Sequence, residues 1–400
     1  MEPVKAVINN LKLRTSYGFT GNTEIGVYES LATLGSNSWT IGNQLVSGFY
    51  PNRIPNPDLK WEKTGQFDIG FDLGLFNNRL RLTADYYYKK TTDLLYNVAI
   101  PSASGYDSML KNIGSVQNKG YELSIESDNL SGAFSWTTAF NISFNRNKVL
   151  ELGGETYKDV GTYDDHLKTS DIRRLIVGQP IGVFYGYRFD GIFQNEAECA
   201  QQTSSPSPIG VGLRRYKDLN GDGKIDATND REILGDANPK FFGGMTNTFA
   251  YKGFELNVFL QYSYGNKIFN YNAMELESPT GGQNVYQDLV NRWTPTNPSN
   301  EYQKATTNRN NIVSDRFIED GSFLKLKTVS LSYSFPKLNW KHIGGLRLYV
   351  TGQNLLTWTK YRGYDPEVSY RGASTLEAGE DFGGYPQART FMFGIKLDIK

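Results

Sequence analysis

The sequence predicts an all-β fold, a transmembrane antiparallel β-barrel, and three features indicate it. Apolar and polar residues alternate along many segments, as in strands with one apolar face and one polar face. The clearest segments alternate for about ten residues or more, the length that a tilted strand needs to cross a bilayer. The connections between segments alternate between short turns and long polar stretches. We therefore expect a membrane wall rather than a soluble sandwich, whose strands are usually about 5–6 residues long.

The clearest example is a predicted hairpin at residues 66–89. Every odd position from Phe67 to Leu75 is apolar, and the even positions between them are Asp or Gly. After a turn at residues 77–79, the even positions from Leu80 to Tyr88 are apolar or aromatic. Successive side chains point to opposite sides of a strand, so each strand would present one apolar face and one polar face.

Further segments of this kind recur along the whole chain. In order, the predicted strands cover residues 11–19, 66–76, 80–89, 121–126, 134–144, a segment ending near 251, 254–262, 329–335, 346–351 and 391–399. Residues 181–194 and 211–217 alternate less regularly. With them we expect about twelve strands, within the range of known membrane barrels.

The connections predict which side of the membrane each strand end reaches. Short turns fall at residues 77–78, 130–131 and 252–253, with a longer one at 336–345. Long polar connections fall at residues 20–62, 97–116, 150–180, 269–321 and 356–388. Outer-membrane barrels have short periplasmic turns and long extracellular loops. An even number of strands would place both chain ends on the short-turn side.

The composition fits this fold and argues against a general nucleic-acid partner. Lys plus Arg and Asp plus Glu both number 42, so the net charge is zero, and the chain has 26 Tyr and 23 Phe. The mean hydropathy of −0.49 is compatible with a membrane barrel, because its lumen and loops are polar. The first residues lack the basic and apolar stretches of a signal peptide, so we expect an outer-membrane chain of this sequence to be part of a longer protein.

Several short motifs resemble those of the SusC/RagA-like TonB-linked outer-membrane transporters. In chain order they are residues 56–62 (NPDLKWE), 112–122 (NIGSVQNKGYE), 178–187 (GQPIGVFYGY), 218–226 (DLNGDGKID), 352–355 (GQNL) and 363–367 (GYDPE). Each motif alone is weakly specific, but together and in this order they span nearly the whole chain. The end of the chain departs from the family, because residues 398–400 lack the usual terminal aromatic.

The resemblance implies a fold, a location and partners. Such transporters are 22-stranded barrels with a plugged lumen, found in the outer membrane of Gram-negative, Bacteroidetes-like bacteria. They import glycans or oligopeptides with a SusD-like surface lipoprotein, using energy from TonB. Residues 1–400 resemble only the C-terminal part of the barrel, and the plug and the TonB-contacting segment have no counterpart here. TonB would therefore act only through the missing N-terminal part.

The sharpest chemical motif is an acidic loop at residues 218–230. Ca²⁺ takes six to eight oxygen ligands on such loops, and Asp218, Asn220, Asp222 and Asp226 match positions 1, 3, 5 and 9 of a calcium loop. The Lys224 carbonyl would serve at position 7. Asn229 stands at position 12, where an acid is expected, and Asp230 follows it and would substitute. A bound ion would be structural; the alternative is an acidic turn held by hydrogen bonds of its own Asx side chains.

Aromatic residues in two long connections are candidate contacts for a substrate or a partner. They are Tyr286, Trp293 and Tyr302 in one connection and Trp358, Tyr361, Tyr364 and Tyr370 in the other. Their rings would suit sugar stacking or a protein interface. The alternative is a role in loop packing or in the aromatic girdle of a membrane barrel.

The sequence shows no catalytic motif, and we predict that the chain is not an enzyme. It lacks a Gly-Xaa-Ser-Xaa-Gly elbow and a phosphate-binding glycine loop, and His166 and His342 lack ligands at metal spacing. We therefore expect part of a nutrient transporter with no nucleic-acid partner. Two alternatives stay open: a soluble or surface-attached, calcium-stabilised β-protein that binds carbohydrate, and a small closed barrel that acts as a pore.

Overall fold

The structure is a computed structural model that describes residues 7–22, 26–106, 108–161, 172–277, 284–307, 311–335, 342–367, 369–372 and 374–399. His166 therefore lies outside the described residues, and His342 is exposed. The strands are β1 (Ile8–Asn22), β2 (Thr33–Ile41), β3 (Gln44–Arg53), β4 (Glu62–Leu75), β5 (Leu80–Thr92), β6 (Leu95–Ala99), β7 (Ser108–Asn112), β8 (Ser115–Leu130), β9 (Phe134–Glu151), β10 (Tyr157–Val160), β11 (Arg173–Ile176), β12 (Val183–Tyr187), β13 (Phe189–Ile192), β14 (Arg214–Tyr216), β15 (Arg231–Asp236), β16 (Phe241–Tyr251), β17 (Phe254–Tyr264), β18 (Lys267–Asn270), β19 (Ile318–Asp320), β20 (Phe323–Ser334), β21 (Ile343–Thr359), β22 (Glu380–Asp381) and β23 (Thr390–Ile399). The α-helices among the described residues are α1 (Glu196–Cys199) and α2 (Tyr271–Leu276), and 3₁₀ turns occur there at Ser102–Ser104, Gln287–Asn291 and Asp315–Phe317.

Ten long strands form one antiparallel sheet, here called the wall. Their order is β1-β4-β5-β8-β9-β16-β17-β20-β21-β23. They range from 10 residues in β23 to 18 in β9, long enough to cross a bilayer at a tilt. The edge strands β1 and β23 do not pair with each other, so the described chain forms an open part of a barrel. The predicted antiparallel membrane barrel is confirmed, whereas a small closed pore does not fit these unpaired edges.

The wall has two strands fewer than expected, and the difference lies in the two weakly alternating segments. Residues 181–194 and 211–217 contain β12, β13 and β14, but these strands are only 3–5 residues long. They pair in small separate sheets, β12 within β10-β11-β12-β15 and β13 with β14. Alternation over a few residues is compatible with a short loop strand as well as with a membrane strand, and only the length of the alternating segment distinguishes them.

The two faces of the wall differ as the sequence predicts. Register places apolar residues of neighbouring strands side by side, as in Leu13 with Phe71 and Leu73 with Leu82. The apolar face is the exposed one: Phe71 is 37% exposed and Ile69 is 40% exposed, while Gly70 on the opposite face is buried. This arrangement is the reverse of a soluble sandwich, whose apolar faces are buried together. The outer face is thus built for lipid, and the polar face is the inner face of the barrel.

Short turns join the wall strands at one end only. The hairpin of β16 and β17 turns at Lys252 and Gly253, whose φ angles of 46° and 87° fit a two-residue type I′ turn. The long connections leave the opposite end of the wall, and their described parts carry the short strands, α1 and α2. The predicted sorting is confirmed for the described turns, and the longer turn predicted at residues 336–345 lies partly outside the described residues.

The apolar core of the described chain lies in the long loops rather than in the wall. Eight buried residues, here called the loop core, pack together: Ile172, Phe184, Phe269, Tyr271, Ala273, Met274, Val313 and Phe317. They come from the connections after β9 and β17, and Phe382 from the last long connection packs against them. The connections after β9, β17 and β21 therefore share one apolar core at the end of the wall. No helix in the described part of the chain is long and apolar enough to cross a membrane.

Candidate functional site

The acidic loop at residues 218–230 is folded by hydrogen bonds from its own backbone. The Asp218 carboxylate accepts the backbone N–H of Gly221 at 2.6 Å and that of Gly223 at 2.7 Å. Both glycines have positive φ angles, near 78° and 77°, which a side chain would disfavour. Asn220 and Asp222 each accept the backbone N–H two residues further on, at 3.2 Å and 2.8 Å, and these two contacts are Asx turns as in the alternative interpretation.

Asp230, the residue expected to complete a calcium site, closes the loop from inside. Its carboxylate is fully buried and accepts the backbone N–H groups of Leu219 and Asp226, each at 2.8 Å. Two charge-assisted bonds from backbone amides satisfy a buried carboxylate without a cation. Its hydrogen bonds to the loop backbone are therefore sufficient to explain why an aspartate occupies this position.

The backbone also affects the ionisation of two other predicted ligands. Hydrogen bonds from Gly223 and nearby amides lower the pKa of Asp218, and those from Asn229 and Thr228 lower the pKa of Asp226. Among the described residues, no three His, Cys, Asp or Glu side chains are grouped to hold a metal ion. Calcium binding therefore stays a prediction for the six ligands, which are Asp218, Asn220, Asp222, Lys224, Asp226 and Asp230.

Four of the seven candidate aromatic residues pack within the loops. Tyr361 is 5% exposed, and its hydroxyl donates to Asp381 at 2.5 Å; burial, then this bond, raises its pKa. Tyr302 is 8% exposed, and Trp293 donates its indole N–H to Gln194 at 3.1 Å. Tyr286 packs against the loop core.

The other three aromatic residues reach the surface at separate places. Trp358 ends β21 beside Leu324 of β20 and is 51% exposed, a position typical of the aromatic girdle. Tyr364 is 83% exposed, and Tyr370 is 40% exposed with its ring edge-on to Phe382. The structure thus does not bring the seven rings together, and only Tyr364 and Tyr370 present rings at the loop surface.

Charged residues line the inner face of the wall. Arg14 of β1 binds Asp72 of β4 at 3.1 Å and Asp85 of β5 at 3.0 Å. Thr83 donates its hydroxyl to Asp72 at 3.1 Å. These side chains lie on the polar face and give the prospective lumen fixed charges of both signs.

A buried lysine attaches the last long loop to this inner face. Lys325 of β20 is 1% exposed, and its Nζ lies 3.1 Å from Asp365 and in contact with Glu367. Gln261 of β17 donates to the same glutamate at 2.9 Å. Both acids belong to the GYDPE motif, so the motif is a clamp between loop and wall. Lys325 was not predicted from the sequence, although a lysine at a polar strand position and two acids in a motif were visible signals.

Two further buried ion-pair groups, also missed from sequence, hold the loops together. Arg173 of β11 binds Glu380 of β22 at 2.9 Å, and both side chains are 1% exposed. Burial raises the pKa of Glu380, and the adjacent Arg173 and Arg371 oppose that change. Sequence spacing gives no signal for this pair, because its members are far apart in the chain.

The second group centres on Glu277, which follows α2. Its carboxylate, 1% exposed, lies 2.7 Å from Arg316 and 3.2 Å from Arg362. Arg362 also binds Glu319 at 2.8 Å. The connections after β17 and β21 are therefore tied by charge as well as by the loop core.

The family motifs at residues 56–62 and 112–122 contact each other. Asn112 accepts the backbone N–H of Lys60 at 2.8 Å and donates to the Lys60 carbonyl at 2.5 Å. Asn56 donates to the Leu110 carbonyl at 2.8 Å. These bonds fix the β6–β7 hairpin against the start of β4, which explains why amides occupy these positions.

Comparison with known proteins gives a consistent result. The TonB dependent receptor-like, beta-barrel family matches residues 5–355. A TonB-dependent receptor of Formosa agariphila is 41% identical over 98% of this chain and 39% of its own length. The TonB-dependent receptor SusC of Bacteroides thetaiotaomicron is 29% identical over 98% of this chain and 38% of its own length.

Solved structures show the same likeness. A structure of the RagAB peptide transporter superposes with a TM-score of 0.80 at 28% identity, covering 98% of this chain and 41% of that one. The RagAB peptide importer in its open-open state gives a TM-score of 0.78 at 27% identity, over 98% of this chain and 40% of that one. The chain thus spans about two fifths of the length of the relatives that it matches.

Proposed function

Because this chain belongs to the TonB-dependent receptor β-barrel family, we propose that it forms part of an outer-membrane transporter that imports large nutrients. Members of this family of SusC and RagA relatives are outer-membrane β-barrels of Bacteroidetes, and the chain shares that location. The observation that supports transport is the wall itself, with an apolar outer face, a charged inner face and folded loops at one end. In this proposal the wall lines the path and the loops form the extracellular vestibule.

The substrate and partners in this proposal follow the relatives. The nutrient is a glycan or an oligopeptide, and a SusD-like surface lipoprotein covers the vestibule. We place the plug and the TonB contact in the part of the receptor that the match does not cover. No enzymatic step is part of the proposal.

Uptake by cells tests this function. Deleting the gene from a bacterium that carries it should abolish uptake of one fluorescently labelled oligosaccharide or oligopeptide. A TonB-deficient strain of the same bacterium should lose the same uptake. The matched control is a small solute that passes through porins. Unchanged uptake of every large nutrient in both mutants would refute the proposal.

Co-purification tests the partner. The affinity-tagged receptor, extracted from outer membranes in mild detergent, should retain a SusD-like lipoprotein identified by mass spectrometry. Recovery of the receptor without such a lipoprotein would remove this part of the proposal. The soluble carbohydrate-binding alternative predicts that the protein stays in solution without detergent, which the exposed apolar wall face opposes.

A further inference from the structure

An apolar pocket lies at the loop end of the inner face, and we call it the mouth pocket. Its cavity volume is about 360 Å³, and its apolar lining includes Leu95, Val116, Val149, Leu175, Ile181 and Leu376. Concave apolar pockets with a few polar groups are the usual form of small-ligand sites. The residues of the pocket come from three separate long connections and the wall strands beside them, so no single sequence motif indicates it.

The position of the mouth pocket places it on the proposed transport path. Glu62 and Val116 line it near the loop ends of β4 and β8. Glu62 has the same strand parity as Asp68 and Asp72, which belong to the inner face. Leu376 comes from the last long connection, which the GYDPE clamp attaches to that face. A ligand entering from the loop side would meet this pocket before the charged part of the wall.

The lining is suited to an aliphatic side chain rather than to a sugar ring. Val149 is 1% exposed and Leu175 is 7% exposed, so the floor is formed by tightly packed apolar groups. A pyranose placed here would bury hydroxyl groups with few partners, which is costly. Among the described residues that line the pocket, Tyr96 is the only aromatic one, and the Lys158 ammonium lies 3.6 Å from its ring centroid. That ring is therefore already engaged by a cation.

The few polar groups of the pocket suit a peptide backbone. The Glu62 carboxylate lines the pocket and accepts the backbone N–H of Leu95 at 3.1 Å and a side-chain N–H of Asn22 at 3.2 Å. A carboxylate has about four acceptor sites, so Glu62 can also accept a ligand N–H. The Tyr96 hydroxyl is buried and has no hydrogen-bond partner among the described residues. Thr375 adds a hydroxyl at the rim. An oligopeptide supplies both an apolar side chain and backbone donors and acceptors.

We infer that the mouth pocket receives an apolar side chain of an oligopeptide ligand. The inference rests on the proposed transport function and names aliphatic oligopeptides as the substrate class. Glu62 orients the peptide through its backbone, and the aliphatic lining selects the side chain.

Peptide binding to the chain in detergent micelles tests the inference. The probes are fluorescein-labelled peptides of equal length that differ only in a central Leu, Ala or Ser, and the readout is fluorescence anisotropy. Leu should bind at least about tenfold more tightly than Ala, since a single methylene in an apolar pocket already contributes about that factor, and Ser should bind more weakly still. Leu376→Ser should reduce the ratio between Leu and Ala, whereas Leu376→Met should retain it.

The control variant lies in the same long connection. Tyr385 is 91% exposed and does not line the pocket, so Tyr385→Ser should leave the ratio unchanged. Leu376 is itself 41% exposed, so its replacement should not unfold the protein, which circular dichroism checks. Thr375→Val adds an apolar group at the rim as a second variant, and it should retain or increase the preference for Leu.

Four outcomes would overturn the inference. They are equal binding of the three peptides, no binding of any of them, a preference for Leu that Leu376→Ser leaves intact, and tight binding of maltoheptaose that Leu376→Ser weakens. The last outcome would assign the pocket to a sugar. If the purified protein prefers the Leu peptide but deletion of its gene leaves all nutrient uptake unchanged, the proposed transport function is contradicted. The assignment of the pocket to an apolar peptide side chain would still hold.

Discussion

At the residue scale, Lys325 shows how one buried charge can fix a long loop. Its ammonium is surrounded by the carboxylates of Asp365 and Glu367. Lys325→Met would leave these acids without their buried partner, and removing one member of a buried pair costs about 3–5 kcal/mol. We expect a lower midpoint of thermal unfolding and faster proteolysis within the last long connection.

Lys327→Met is the matched control for Lys325→Met. Lys327 also reaches Glu367, at 3.4 Å, but its side chain is 25% exposed. Its loss should cost at most about 1 kcal/mol, as for other partly exposed pairs. Equal effects of the two variants would show that burial of Lys325 does not decide the attachment.

A second residue-scale prediction concerns acid pH. Because the folded state lowers the pKa of Asp218 and Asp226, their contribution to stability is complete above the ordinary Asp value of about 3.9. It is lost as the pH falls through the lowered values. The midpoint of thermal unfolding should therefore fall between pH 6 and pH 3, and it should fall less in Asp218→Asn than in the wild type. An identical pH profile in that variant would contradict the linkage.

At the element scale, the β16–β17 hairpin depends on one glycine. Gly253 has a φ of 87°, and a Cβ there would lie 2.7 Å from the Ser334 carbonyl oxygen. Gly253→Ala should destabilise the protein by more than about 1 kcal/mol, since alanine disfavours positive φ. Gly18→Ala in β1 is the control, because nothing lies within 4 Å of its added Cβ and its φ is not positive. Chemical denaturation measures both, and equal midpoints would refute the argument.

The acidic loop is the second element with a direct test. If it binds calcium as predicted, CaCl₂ should raise the midpoint of thermal unfolding relative to EGTA, and Asp222→Ser should abolish that rise. Asp222 is exposed and accepts one backbone N–H, from Lys224 at 2.8 Å, so its loss should spare the fold. No response to calcium would leave the loop as a set of self-supporting Asx turns.

The elements also show what the sequence could and could not predict. The alternation at residues 66–89 predicted β4 and β5, because lipid on one side and a polar lumen on the other enforce a period of two. Residues 181–194 were wrongly predicted to form a wall strand, because short loop strands also alternate between apolar and polar residues. Arg173 and Glu380 were not predicted, since pairs between distant loops depend on how the loops fold together. Tyr361 and Tyr302 are buried because aromatic residues also supply the apolar area that loops need.

At the scale of the whole molecule, the chain places its stability and its membrane contact in different regions. The buried apolar residues of the described chain lie mostly in the long connections, while the wall is held mainly by its hydrogen-bonded ladder and exposes apolar side chains. Such a sheet is stable only where its apolar outer face contacts lipid or detergent. Its unpaired edges β1 and β23 can also accept further strands, as barrel closure requires.

Charges placed on the two faces of the wall should therefore have opposite consequences. Ile69→Arg puts a cation near the middle of β4 on the outer face, where arginine costs about 2–4 kcal/mol at the bilayer midplane. Thr83→Arg puts the same charge on the inner face of β5, where Asp72 lies within hydrogen-bonding distance of the native hydroxyl. We expect insertion into liposomes, measured by protection of the wall from protease, to fall for Ile69→Arg and to stay near wild type for Thr83→Arg. If the inner-face variant were the more damaging, the assignment of the two faces would be reversed, and the polar face could not line a transport path.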